Sequence, residues 1–293
     1  MPEEIEPRPT RIVICGSDDR IGRRVEEVLD CIQLEQVGDN RQLLSSLTAQ
    51  PAEIVVTDRD LSGKENVEAL RQIQELSAPR RVKIIVMARD SAREDVIAAM
   101  RAGAFCYFSR PYFESAFDDI LRHAASPAEW EDSIQVSSAT TAWLRVIARC
   151  ESPAADRLIQ FMNELSDLDG KERESVGFAL KEILMNAMEY GGKFNRERLV
   201  EASYVRATRM VLYRIRDPGD GFSLEELTHA AISNPPEDPV KHLEVREALG
   251  IRPGGFGVLL SKKLVDELIY NEQGNDVLLI KYLEPVSPDL AGK

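Results

Sequence analysis

Glu182-Ile183-Leu184-Met185-Asn186-Ala187-Met188-Glu189-Tyr190-Gly191 is the stretch on which the reading of this chain turns. It closes a helical pattern that starts near Lys171, after the Asp169-Gly170 break, and that stops at Gly191-Gly192. Glu182 and Asn186 stand four residues apart, so they project from one helix face, with Glu189 a turn further on. Phe178, Ile183, Leu184 and Ala187 are assigned to the opposite, core-facing side. Carboxylate and amide oxygens striped beside a buried face suit a hard divalent cation that arrives bound to phosphates.

Two further segments give that stripe a context. Asp217-Pro218-Gly219-Asp220-Gly221-Phe222 follows the strand-like run Val211 to Arg216. A Pro-Gly turn capped by Asp217 explains Gly219 but leaves Gly221 over. Gly254, Gly255 and Gly257 precede the apolar run Val258, Leu259 and Leu260, where a helix from about Gly255 to Val265 is predicted. Amides exposed at a helix N-terminus bind phosphate, and glycines keep the approach open. Each segment alone is ordinary; the three together, in this order, form a coherent set.

The set resembles the N, G1 and G2 boxes of the GHKL (Bergerat-fold) ATPases, over about residues 139–287. The resemblance implies ATP and Mg²⁺ as cofactors, with Asn186 on the metal and Glu182 as general base. It implies that Asp217 accepts a hydrogen bond from the adenine amino group, with Gly219 and Gly221 letting the backbone approach. Glu189 joins the nucleotide site, Gly254, Gly255 and Gly257 cradle phosphates, and about Ser223 to Pro253 forms a mobile lid. His123, His229 and His242 lack a phosphoacceptor context. The short form of the domain is similar to anti-sigma-factor serine/threonine kinases, which phosphorylate a small antagonist protein in partner switching. One departure is Glu189-Tyr190, where those kinases often carry a basic residue and His. Two alternatives follow: a nucleotide-sensing protein that binds a sigma factor or antagonist with little kinase activity, and a histidine-kinase-like ATPase.

The first half of the chain has another rhythm. Short apolar runs at 11–15, 53–57, 83–87 and 105–108 alternate with helical patterns, one of them opening at Ser91 with Glu94 as a capping box. Strands alternating with helices predict a parallel, doubly wound sheet whose ligand site lies at the strands' carboxyl ends. Asp58 at a strand end, Leu61-Ser62-Gly63 after it and Arg110-Pro111 after the last strand resemble the receiver domain of response regulators. The resemblance implies that Asp58 holds the phosphoacceptor position. Gly16 and Ser17 stand where an acidic, Mg²⁺-binding pair belongs, Ala88 where a Ser or Thr belongs, and Arg110 where a Lys belongs. Asp18 and Asp19 follow the missing pair and replace it if the loop shifts. Otherwise Arg110 pairs with Asp58, and the domain is a degenerate receiver that gates, docks or dimerises the protein as a homodimer.

The expected organisation is a tail at 1–9, a flavodoxin-like receiver at 10–125 and a linker at 126–138. An α+β two-layer ATPase domain follows at 139–287, where Ser152 caps a helix with Pro153 at its first turn, and a tail at 288–293. Across 293 residues the net charge is -13 with no Lys/Arg-rich run, which opposes nucleic-acid binding. No stretch approaches the ~20 consecutive apolar residues of a membrane span. Cys15, Cys31, Cys106 and Cys150 are far apart, without a CxxC pair, and are expected as buried free thiols in a cytoplasmic protein.

Overall fold

A computed structural model describes residues 10–58, 63–78, 81–89, 92–127, 133–166, 168–222, 247–248 and 256–283. Leu61, Ser62, Ser91, Gly254, Gly255, His229, His242, both tails, 128–132 of the linker and all but 247–248 of the lid lie outside the described residues. The chain divides into two compact units, Met1–Glu131 and Asp132–Lys293.

In the first unit, β1 (Thr10–Gly16), β2 (Ile32–Val37), β3 (Ile54–Asp58), β4 (Lys83–Ala88) and β5 (Cys106–Ser109) form one sheet in the order β2-β1-β3-β4-β5. All pairings are parallel. Between them run α1 (Asp19–Val28), α2 (Asn40–Ala49), α3 (Gly63–Ser77) and α4 (Arg93–Arg101), and α5 (Glu114–Ala125) closes the unit. β1, β3 and β4 are nearly continuous runs of buried residues rich in Ile and Val, as inner parallel strands covered on both faces must be, whereas the edge strand β2 is partly exposed. Strand order reverses at β1 and β3, and their register pairs Gly16 with Asp58, which sets Asp58 at the crevice where such sheets bind ligands.

The helices are fixed to this sheet by apolar packing and by a few buried charges. Phe117 of α5 stacks edge-on against Phe108 at 5.6 Å, and Tyr112 stacks on Phe108 at 5.7 Å. Lys83, almost wholly buried, donates to the carbonyls of Ala124 (2.8 Å) and Ser126 at the end of α5, where helix carbonyls lack partners. Arg11 is 5% exposed and is held by Glu35 (2.5 Å) and Ser46 (2.6 Å).

The second unit is built on an antiparallel sheet in the order β10-β11-β9-β8-β7-β6. Its strands are β6 (Ile134–Thr140), β7 (Trp143–Arg149), β8 (Leu199–Ala207), β9 (Met210–Arg216), β10 (Glu267–Tyr270) and β11 (Asp276–Tyr282). Alternate residues such as Leu144, Val146 and Ala148 are buried, the period of a sheet with one covered face. The helices are α6 (Ser152–Leu165), α7 (Gly170–Asn186) and α8 (Gly257–Leu264), with α6 and α8 packed on α7. The buried Tyr204 hydroxyl donates to the Leu165 carbonyl at 2.7 Å, tying β8 to the end of α6.

Several expectations need correction. The linker is shorter than 126–138, because β6 already pairs with β7 from Ile134; its polar alternate residues hide a strand with one apolar side. Helix α6 is preceded by Glu151 as its N-cap, so Ser152 lies inside the helix. Helix α4 starts after Ala92, which makes no side-chain cap. Phe178 is 45% exposed, since it stands one turn before Glu182 and therefore on Glu182's stripe; Ile183, Leu184 and Ala187 are buried as expected, together with Ala179 and Leu180. Cys31 is exposed with φ 53°, whereas the other three cysteines are buried. The last turn of the long helix is π-helical, over Ala187–Gly191.

Because Phe117 is fully buried among large side chains, Phe117→Ala should destabilise the first unit by about 3–5 kcal/mol. Urea unfolding followed by near-UV dichroism checks this; a midpoint within error of the parent chain contradicts the packing described.

Candidate functional site

The described residues among those singled out in the second unit meet around the C-terminal half of α7. Glu182 and Asn186 are both partly buried on one stripe of that helix. A π-helical turn widens the backbone immediately after Asn186, a distortion frequent at functional sites. It carries Glu189 and ends on Gly191. A Cβ on Gly191 would run into the Asp217 carboxylate, so only a glycine lets the two segments approach. At the start of α8, Gly257 lies close to the Glu182 carboxylate, which a Cβ there would have to displace. Glu182, Asn186, Glu189, Asp217, Gly219 and Gly257 therefore share one region, with Gly221 (φ 84°) in the loop beside it.

Asp217 is the first residue after β9 and is half-buried. Its Oδ1 accepts the Gly219 N–H at 2.7 Å, and its other oxygen takes no hydrogen bond from a described residue. Burial pushes its carboxyl above the usual carboxylate range, while the Gly219 N–H and the Arg198 guanidinium pull the other way. Its backbone N–H donates to the Asn275 carbonyl at 3.0 Å, and Asn275 Nδ2 donates to the Gly219 carbonyl at 3.2 Å. Asn271 in turn accepts the N–H groups of Asn275 (3.0 Å) and Asp276 (3.1 Å), so the β10–β11 turn braces the Asp217 loop. Phe222 closes the loop edge-on against Tyr270 at 5.2 Å.

Sequence reasoning missed this bracing. The Asn271–Asp276 turn is visible as polar residues around Gly274, but nothing local says which loop it supports. It also missed Arg198, whose guanidinium donates to the Gly191 carbonyl at 2.8 Å and the Pro218 carbonyl at 2.7 Å. No motif marks that arginine.

The donor set here fits a divalent cation brought in by phosphates and not a resident metal cage. Among the described residues no group of three His, Cys, Asp or Glu side chains is placed to hold an ion. Asn186 offers a single amide oxygen, which is the share a protein contributes when phosphates and water complete an octahedron.

In the first unit, a cleft of about 630 Å³ opens at the carboxyl ends of the strands, its charged lining formed by Asp18, Arg20, Asp58, Arg89 and Arg110. Arg110 Nη2 bridges Asp58 Oδ1 at 2.8 Å and Asp18 Oδ2 at 2.9 Å. Arg20 binds Asp18 through Nε at 2.9 Å and Nη2 at 2.8 Å. The Arg20 guanidinium, supported by Arg110, holds the Asp18 carboxyl well below the usual range. Both carboxylates that face the cleft are engaged by arginine, so these residues do not fit the Mg²⁺ that receivers use. Asp19 lies in the first turn of α1 and outside the cleft lining.

Among the described residues no helix is long and apolar enough to cross a membrane. Residues 12–122 match the response regulator receiver domain, and residues 127–281, more than half of the chain, match the histidine kinase-like ATPase domain. The chain is 26% identical over 118 residues to the serine-protein kinase RsbW of Oceanobacillus iheyensis, covering 40% of this chain and 70% of that protein. It is 15% identical to HP1043, an orphan response regulator of H. pylori, over 41% of this chain and 100% of that one at a TM-score of 0.35. A response regulator from Thermotoga maritima is 16% identical over 40% of this chain and 97% of its own, also at a TM-score of 0.35. With a receiver domain ahead of it, the ATPase domain makes this chain a member of the histidine kinase-like ATPase family.

Proposed function

We propose that this protein is an ATP- and Mg²⁺-dependent serine/threonine kinase of the anti-sigma-factor type, acting on a small antagonist protein in a partner switch. One observation carries the reading: a half-buried carboxylate, Asp217, is set against Gly191 at the end of the helix that bears Glu182 and Asn186. The similarity to a serine-protein kinase supports the choice of reaction.

Each residue then has a task. Asp217 accepts the adenine amino group through the oxygen that Gly219 leaves open. Asn186 holds Mg²⁺, which supplies charge neutralisation on the phosphates. Glu182 takes the proton from the attacking Ser or Thr hydroxyl. Gly254 and Gly255 belong with Gly257 in the phosphate cradle. Phosphoryl transfer asks a protein mainly for positioning and charge compensation, which this set provides. The receiver is a docking or dimerisation module whose Asp58 is latched by Arg110 and not switched by phosphorylation.

Glu189 favours a second reading, nucleotide sensing with little transfer, because a carboxylate on the π-turn adds negative charge beside the phosphates. Calorimetry and a transfer assay separate the two. ATP should bind the parent chain, weaken about tenfold or more in Asp217→Asn through loss of a charged hydrogen-bond partner, and lose its Mg²⁺ dependence in Asn186→Ala. Glu182→Gln should keep ATP binding while transfer to Ser or Thr falls by about 10²–10⁴-fold. Transfer undetectable in the parent chain with ATP bound supports the sensing reading; no ATP binding sinks both. A small phosphodonor such as acetyl phosphate should leave Asp58 unlabelled in the intact protein. An acid-stable mass increase is not expected for an acyl phosphate, so the check is native mass spectrometry, and a phosphorylated Asp58 would contradict the latch.

A further inference from the structure

We propose that Arg198 is a positioning residue of the nucleotide site, clamping the Asp217 loop to the π-turn and so setting the selectivity for a 6-aminopurine. The inference rests on the reading of Asp217 as the adenine-recognising group. Arg198 immediately precedes β8 and is held there by its own backbone. Its N–H donates to the Asn195 carbonyl at 2.9 Å, and its carbonyl accepts the Cys150 N–H at 3.1 Å. From that anchor the guanidinium reaches two carbonyls at once, Gly191 at 2.8 Å and Pro218 at 2.7 Å. These belong to the segments whose separation decides whether a base fits, the end of the π-turn and the loop that carries Asp217. A planar fork with fixed N–H directions can serve both acceptors together, which a lysine ammonium on a flexible stem does less well.

The same guanidinium acts on Asp217 through space. Among the described residues, four charged or titratable groups interact electrostatically with that carboxylate: Arg198 at the edge of β8, Cys150 after β7, Tyr270 on β10 and Asp276 on β11. Burial pushes the Cys150 thiol up to about 11 and the Tyr270 phenol above its ordinary value, so both are neutral at physiological pH. Asp276 raises the Asp217 carboxyl, and Arg198 is the cation among the four that lowers it. Removing Arg198 therefore raises an already elevated carboxyl further. If ATP needs the ionised form, its binding must then fail at a higher pH than in the parent chain.

The experiment is calorimetric titration of the full-length protein with ATP and with inosine triphosphate, which lacks the amino group, at several pH values from about 4, the ordinary carboxyl range, up to about 8. Arg198→Ala is expected to weaken ATP about tenfold or more, most at the acid end, and to narrow the preference over inosine triphosphate. Arg198→Lys keeps the charge without the fork, and is expected to restore the pH profile but not the full affinity. It also serves if the alanine variant fails to fold. A loss equal at every pH and equal for both nucleotides overturns the proposal, as does parent-like behaviour of both variants. Asp217→Asn in the same titrations keeps the two claims apart. If it leaves the nucleotide preference intact, the reading of Asp217 falls; if it abolishes the preference while Arg198→Ala does nothing, only the clamp falls.

Discussion

Placing a carboxylate where water is scarce raises its free energy, and the second unit is arranged around one such placement. Asp217 is half-buried at the end of β9, close enough to the π-turn that only glycine is tolerated at position 191. That cost is offset locally by the Gly219 N–H and the Arg198 guanidinium, and the loop geometry is fixed from the other side by Asn275 and Asn271. The β10–β11 turn, the π-turn and the start of β8 thus converge on one side chain. A carboxylate held this way is prepared to accept a hydrogen bond from a ligand that replaces the missing water.

The cleft in the first unit solves a related problem by other means. Asp18 and Asp58 lie close together at the carboxyl ends of β1 and β3, and two carboxylates so placed repel unless a cation lies between them. Arg110, together with Arg20, supplies that charge from within the chain. A tethered guanidinium does not dissociate, so the counter-charge to Asp18 and Asp58 is built into the chain. The fold and the crevice of a receiver are retained, with both carboxylates of the crevice bound by arginines of the same chain.

Much of this was legible in the sequence because the governing signals are local. Continuous apolar runs gave β1, β3, β4 and β5 but not the edge strand β2, whose Gln33, Glu35 and Gln36 interrupt the apolar pattern, and the capping Asp with its glycines gave the loop after β9. Edges were harder to read. β6 has a polar outer side, and its bulge at Val136–Ser138 breaks the alternation that would have revealed it. Phe178 was misplaced because an aromatic side chain invites a core assignment, although its spacing from Glu182 puts it on the exposed stripe. Long-range partnerships left no trace at all: nothing near Arg198 announces that its guanidinium joins Gly191 to Pro218, since those carbonyls become neighbours only once the sheet and helix are packed.

A nucleotide bound as proposed occupies the region between the π-turn and the Asp217 loop. Amide hydrogen exchange of the full-length protein, with and without a non-hydrolysable ATP analogue and Mg²⁺, tests it most directly. The account predicts added protection across Asn186–Gly192 and Asp217–Phe222, with the β1–β5 sheet unchanged. Protection confined to the cleft around Asp58, or none in either 186–192 or 217–222 at saturating nucleotide, would contradict it.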